Sequence, residues 1–306
     1  MTNSILHNMS AMTAIANLNM TQQNLAQVQN QISTGLKIST ASDNAAYYSI
    51  STQMNTQTSN LSAVTDSLNL GSSVLSTSTS ALSSMTSILT KIQSDLVSAQ
   101  QAGTDKDAIG TDIKALQNQL SSAIGSASFN GVNLLDGSST SAKFVSTVTG
   151  TGSSTAVSYL SVDTAASNFG TGTASKFTVA AASSGANAAA TVDIYALSST
   201  DANTLAVSST TTSDTLAQYI SAVGTALSNV NAASESLGAS QKNISLQSSF
   251  ISSLSNSITA GVSSLVDADM NQASTRLSAL QTQQQLGVQA LSVANQNSQL
   301  ILKLFQ

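Results

Sequence analysis

Cysteine, proline and tryptophan are missing from all 306 residues, and only 8% of the chain is charged. Without cysteine there is no disulfide framework and no thiolate metal site. Without proline, nothing breaks a helix by removing a backbone donor and crowding the preceding turn, which suits long uninterrupted helices. An ordinary soluble domain is about 25% charged. Here Ser, Thr, Asn and Gln fill the polar positions instead, giving a surface that repels copies of itself weakly and can hydrogen-bond to them. The net charge is −5 and nine Lys and Arg are scattered singly. Phosphate binding needs clustered cations, so no nucleic-acid partner is expected. No apolar run approaches the roughly 18 residues of a membrane span, so no membrane insertion is expected. No cationic-then-apolar leader opens the chain, so by the usual secretory route a cytoplasmic protein is expected; that expectation does not hold for substrates of dedicated export machines, which need no cleaved signal.

Chemistry-bearing residues are equally sparse. His7 is the one histidine and Glu235 the one glutamate. Neither a zinc motif nor a Ser–His relay can be assembled around a single imidazole, so no metal, cofactor or catalytic role is expected. Asp105 with Asp107, and Asp267 with Asp269, stand two apart and point to different helix faces; they read as helix caps or solvated linkers. Gly150-Thr151-Gly152 and Gly170-Thr171-Gly172 lack the lysine and the strand–loop–helix setting of a phosphate loop and read as turns. Met9, Met12, Met20, Met54 and Met85 read as helical core filling.

What the chain has in abundance is periodicity. From Leu61 an apolar ladder climbs by threes and fours through Val64, Leu68, Gly71, Leu75, Ser78, Leu82, Met85, Leu89, Ile92, Leu96 and Ala99. A second row falls on every seventh residue from Leu216 to Leu265, with a mixed companion row at Ile220, Leu227, Ser234, Gln241, Ser248, Ser255 and Val262. Such a repeat keeps one face against a partner helix, and each run would be a rod of roughly 55–75 Å. Residues 1–34 predict a helix with a stripe of Ile5, Met9, Met12, Ile15, Leu18, Leu25, Val28 and Ile32, stopped by Gly35. Ser39–Asn44 is a polar turn. Helices are expected over 45–101, 105–127 and 214–265. After a register break across Asp267–Arg276, a final helix carries Leu277, Leu280, Leu291, Ala294, Ile301, Leu304 and Phe305.

Between the helices the period disappears. Asn130-Gly131 and Asp136-Gly137 are hairpin-type turn signals. Strands are expected at Lys143–Val148, Val157–Val162, Lys176–Ala180, Thr191–Leu197 and Thr204–Val207. This centre reads as a small β-rich domain with a thin core, with a partly disordered insertion as the alternative. The fold class is mainly α: a coiled-coil-like helical bundle formed by both chain ends, with a small β-rich central insertion. The divisions expected are a core-lining segment at 1–44, a long-helix domain built from 45–139 and 214–266, a variable outer domain at 140–213, and a second core-lining segment at 267–306.

Several stretches resemble bacterial flagellins. They are Ile32–Ile38 with Ala41–Ala46 (including Gly35, Asp43, Asn44 and Ala45), and Phe129-Asn130-Gly131-Val132-Asn133-Leu134-Leu135. In the C-terminal part they are Val266–Met270 with Asp267 and Asp269, and Gln283–Leu286, Ala294-Asn295-Gln296 and Leu300–Leu302. The likeness covers about 1–138 and 214–306 and looks most like rhizobial, alphaproteobacterial members. It implies a structural subunit of the extracellular flagellar filament: a homopolymer whose terminal segments fold into a coiled-coil core on joining it. The implied partners are the flagellar export machinery and its chaperone, the filament cap and the hook-junction proteins. A hook–filament junction protein, or a surface adhesin or receptor ligand acting through the centre, are the alternatives. Where many enterobacterial members carry an Arg-rich stretch read by the innate immune receptor, this chain has Lys91-Ile92-Gln93-Ser94-Asp95-Leu96, so weak or no activation is expected. Tyr47-Tyr48 also replace a smaller pair.

Overall fold

The computed structural model describes residues 8–138, 141–149, 156–163, 167–170, 177–180, 191–194 and 205–304. In chain order the elements are α1 (Met9–Thr34), α2 (Ala45–Ala99), α3 (Lys106–Ser126), β1 (Ser128–Phe129), β2 (Val132–Asn133), β3 (Ser141–Thr149) and β4 (Ala156–Asp163). They continue with β5 (Thr178–Ala180), β6 (Thr191–Asp193), α4 (Ser213–Val266) and α5 (Met270–Leu304). Each helix begins on a side chain that accepts N–H groups its first turn leaves free. Asn8 accepts from Ala11, Asn44 from Ala46 and Tyr47, and Asp105 from Asp107 and Ala108. Thr212 accepts from Thr215, and Asp269 from Asn271 and Gln272. The expected break across 267–276 therefore shrinks to Asp267–Asp269: Asp269 is a cap, and Gln272 already lies in the first turn.

The chain forms two compact units. One runs from Asn60 to Leu254. In it every step of the ladder from Leu61 to Ala99 is buried. Burial is worth about 1.5–3 kcal/mol for each large aliphatic side chain, so the ladder is the chief stabiliser of this unit. The polar step Ser78 is tolerated because its hydroxyl donates to the Val74 carbonyl at 3.0 Å. Gly71 is a step for a different reason: a Cβ there would lie 2.8 Å from the ring of Phe144, which occupies that space.

On α4 the seven-residue row is buried from Leu216 to Ile251. Its companion row is not the expected one. Ala226 and Ala233 are wholly buried, while Ile220 and Leu227 are half-buried flanks. The second row thus stands three residues after the first rather than four, where small side chains let neighbouring backbones approach.

The strands form three separate antiparallel pairs, β1–β2, β3–β4 and β5–β6. Asn130 and Gly131, at φ of 52° and 80°, make the tight turn of the first. Asp136-Gly137 is a bend and not a hairpin: Asp136 accepts from the Ser138 N–H. In the β3–β4 pair Ser146 bulges out between Val145 and Thr147. Its carbonyl accepts from the Gln247 amide on α4, and the Val145 N–H donates to Ser67 on α2. β3 and β4 are longer than expected; of the next two expected strands, Phe177 and Ile194 lie outside β5 and β6, and residues 176 and 195–197 lie outside the described residues. Leu205 and Val207 are buried but form no strand, because the segment docks on α3. Gln117 donates to the carbonyls of Leu205 and Ile194, and Lys106 to that of Thr211. Among the described residues of the centre, Phe169 and Phe177 are fully buried with ring centroids 4.9 Å apart, and Val162, Ile194 and Leu205 are also buried.

Candidate assembly surface

The other unit comprises residues up to Ser59 together with those from Ser255 on. It brings the two terminal motifs into direct contact. Gly35 ends α1 at a φ of 73°, a left-handed turn that only glycine takes without cost, and its N–H returns to Gln31. The chain then runs antiparallel to the segment after α4, Leu36 pairing with Asp267. Lys37 and Ile38 both donate to the Val266 carbonyl, at 2.6 and 3.3 Å, and Ala268 donates to Gly35 at 2.9 Å. Below this corner Ile38, Val262 and Val266 are buried, packed by Leu36, Met54, Ile258 and Leu265. Asp43 fastens the turn that follows. Its carboxylate accepts from the backbone and hydroxyl groups of Thr40 and Ser39, which hold it below its ordinary value of 3.8.

From this corner α1 and α5 run back antiparallel. Near the far end the Asn8 amide donates to the Ala294 carbonyl, and part-way along Leu18 rests against Gly287, 3.3 Å from where a Cβ would stand. The covered face of α1 carries Ala11, Ala14, Leu18, Thr21, Leu25, Val28 and Ile32, and that of α5 carries Ala273, Leu277, Leu280, Gln284, Gly287, Leu291 and Ala294. Again the second row on α1 lies one residue earlier than the apolar stripe suggests: Ala14 and Thr21 are on it, while Ile15 is exposed.

The expected assembly residues therefore divide. Leu18, Leu25, Val28, Ile32, Leu277, Leu280 and Leu291 face the partner helix within the chain. Met9, Met12 and Ile15 are exposed, at 71%, 58% and 46%. Met20 joins them at 57%, so three methionines read as core filling are surface residues; Met85 is fully buried and Met54 half-buried. Ile301 and Leu304 belong to α5, and Ile5, His7 and Phe305 lie outside the described residues. Asn295 is exposed on α5, and Ala45 opens α2. The apolar stripe did not single out the small residues Ala11, Ala14, Ala273 and Gly287; their signal is a seven-residue spacing, Ala11 from Leu18, Ala14 through Thr21 to Val28, and Ala273 through Leu280 to Gly287.

On the side of α1 away from α5, Met9, Met12 and Met20 stand in solvent. On α5, Leu286 and Val293 are 58% and 57% exposed and share a face seven residues apart. The sequence of α1 holds no charged residue at all, and that of α5 only Arg276 and Lys303. These exposed apolar groups stand among Ser, Thr, Asn and Gln and not among charges, so another such surface can cover them without burying an ion.

Elsewhere, Phe129 and Val132 flank the β1–β2 turn and are partly exposed. Asn133 is buried. Its amide donates to the Ile124 carbonyl at the end of α3, and its oxygen accepts from Leu135. Lys91 pairs with Asp95 at 2.9 Å one turn along α2. An open cavity of about 450 Å³ lies between the β3–β4 hairpin and α4, lined by Ser146, Tyr159, Leu160, Asn243, Leu246, Gln247 and Phe250. Among the described residues no three His, Cys, Asp or Glu gather as metal ligands, and no helix is long and apolar enough to cross a membrane.

Both ends of the sequence match known protein families. Residues 5–140 match the family described as bacterial flagellin N-terminal helical region, and residues 220–305 the bacterial flagellin C-terminal helical region. A flagellin of Brucella melitensis is 41% identical over 312 residues, covering 99% of both chains. Flagellin C of Rhizobium meliloti is 38% identical over 321 residues, and flagellin FljM of Caulobacter vibrioides 34% identical over 307, each again covering 99% of both chains. The two matched regions contain the segments that meet at the Leu36–Asp267 corner, and the relatives align from end to end: the chain belongs to the bacterial flagellin family.

Proposed function

We propose that this flagellin is the structural subunit of the flagellar filament outside the cell, and that it polymerises through the faces of α1 and α5 that its own fold leaves uncovered. One observation carries the reading: a charge-free helix of 26 residues, α1, buries one side on α5 and presents Met9, Met12, Ile15 and Met20 to solvent. A subunit working alone gains nothing from that surface; a polymer of identical subunits covers it. The terminal segments 1–44 and 267–306 then line the core, the long helices surround them, and the centre at 140–213 faces outward. An isolated helix with so many Ser, Asn and Gln is marginal in water, so packing against neighbours supplies the burial that completes its folding.

The reading assigns the chain no catalysis and no cofactor. It also implies passage through the flagellar export machinery with a chaperone, and contacts with the filament cap and hook-junction proteins at the polymer's ends. The ion pair that Asp95 makes with Lys91 leaves no free cation in the stretch 91–96, which supports weak or no activation of the innate immune receptor.

The test is electron microscopy of the purified chain with and without short filament seeds, beside a form lacking about 35 residues at each end. Long uniform filaments from the intact chain alone are expected. Soluble monomers under seeding would refute a self-propagating subunit. Filaments from the shortened form would refute the role of the terminal helices.

A further inference from the structure

We propose that Met9, Met12 and Met20 are modification sites: a peroxide converts them to sulfoxides in the free subunit, and a subunit so modified no longer adds to the filament. The inference rests on the polymerisation reading above and concerns its regulation. The three thioethers are 71%, 58% and 57% exposed on one side of α1, the side turned from α5. Met54 is half-buried beside Val262 and Val266, and Met85 is wholly buried. The chain thus carries an internal scale of reactivity, with the fastest sites on the assembly surface.

The occupant of that surface is a second copy of this chain. No charged residue stands on α1, so a second copy can cover it without burying an ion, and the Asn and Gln side chains near the methionines can hydrogen-bond to their like on that copy. The uncovered side of α5 offers Leu286 and Val293, apolar groups suited to flexible thioethers. The chemistry is a two-electron oxygen transfer. The sulfur lone pair attacks one peroxide oxygen, the O–O bond breaks, and an S–O bond forms. Hydrogen peroxide leaves as water, with sulfur oxidised and the peroxide reduced. The product is a polar, chiral side chain whose strongly hydrated oxygen would have to shed its water in a contact centred on Met, Leu and Val, and whose bulk no longer fits where the thioether packed. In the polymer the same sulfurs are covered, so sensitivity belongs to the subunit before it is added.

The experiment uses the full chain. Monomer is treated with hydrogen peroxide, sulfoxide at each methionine is read by peptide mass spectrometry, and seeded elongation is followed by light scattering. Wild type is expected to slow roughly tenfold or more as the three sites oxidise. Methionine sulfoxide reductases with a thiol reductant are expected to restore it. The triple variant Met9→Leu, Met12→Leu, Met20→Leu, measured against its own untreated sample, is expected to keep its rate although Met270 still oxidises. In preformed filaments the three sites are expected to be protected.

Elongation at the untreated rate with all three sites oxidised would overturn the proposal, as would equal loss in the triple variant. Equal reactivity of the sites in monomer and filament would overturn the second-copy occupant. If the variant does not polymerise, site occupancy and repair in wild type still decide the matter. Untreated wild type that fails to elongate would instead defeat the filament reading, a distinct outcome.

Discussion

Replacing Gly71 by alanine should change sign with its neighbour. In an ordinary helix interior Gly→Ala stabilises by about 1 kcal/mol, because alanine gives up less backbone freedom on folding. Here the new methyl would stand 2.8 Å from Cγ and 2.9 Å from Cδ1 of Phe144, a buried ring that anchors β3 to α2. The ring cannot bend away as a flexible chain end would, so hairpin or helix must shift, at an overpacking cost of about 1–3 kcal/mol. The expected net effect is therefore between neutral and a loss of about 2 kcal/mol. In a Phe144→Ala background the clash is gone and Gly71→Ala should stabilise by about 1 kcal/mol, giving a coupling of about 1–3 kcal/mol between the two positions. Urea unfolding of the four full-length proteins of this cycle, followed by circular dichroism, measures it. If Gly71→Ala shifts stability in the same direction and by the same amount in both backgrounds, Phe144 is not what keeps position 71 small.

Asn133→Ala removes both the bond to the Ile124 carbonyl and the bond from the Leu135 N–H inside a buried turn. A loss of about 2–4 kcal/mol is expected, read as a fall in the unfolding midpoint. Asp43, whose carboxylate is held below 3.8 first by the Thr40 backbone, contributes stability that is present above that value and lost as pH falls through the depressed one. Asp43→Ala should accordingly lower the thermal midpoint at neutral pH. Its gap to wild type should close on acidification; a gap that persists at about pH 2 would assign the effect to something other than the carboxylate's charge. Because the surface of α1 is charge-free, the critical concentration for assembly should move by less than about twofold between ~0.05 and ~0.3 M sodium chloride. A steep salt dependence would show that charged contacts elsewhere control addition.

The long helices were legible because one physical rule, a buried residue at every third or fourth step, governs α2 from Leu61 to its end. Every ladder position from Leu61 to Ala99 is buried, including the polar Ser78 that carries its own bond. Where the reading slipped, it slipped alike on two helices. Following the largest side chains put Ile15 on α1 and Ile220 and Leu227 on α4 at the contact. Close packing instead favours Ala14, Thr21, Ala226 and Ala233, one residue earlier. Apolar size marks what wants burial, whereas small size marks where another backbone approaches, and a single sequence shows only the first clearly. The methionines were misplaced for a related cause: hydrophobicity cannot separate burial within a chain from burial between copies. That the two chain ends pack together was expected, but the register that sets Leu36 against Asp267 was not, since pairing across such a span of chain leaves no local period. The centre's strand ends were blurred by Ser, Thr and Ala, which serve strand and loop equally well.

The corner at Gly35–Ile38 and Val266–Ala268 also has a mechanical meaning. A joint crossed by one peptide strand can swivel about its single bonds and transmits little torque. Here two strands cross side by side, tied to each other by main-chain hydrogen bonds and seated on Ile38, Val262 and Val266. To twist the terminal helices against the segments they join, both strands must turn together and shear those bonds. Such a double crossing passes torque from α1 and α5 to the chain segments joined to them as through a keyed shaft, with no change of sequence in the helices on either side.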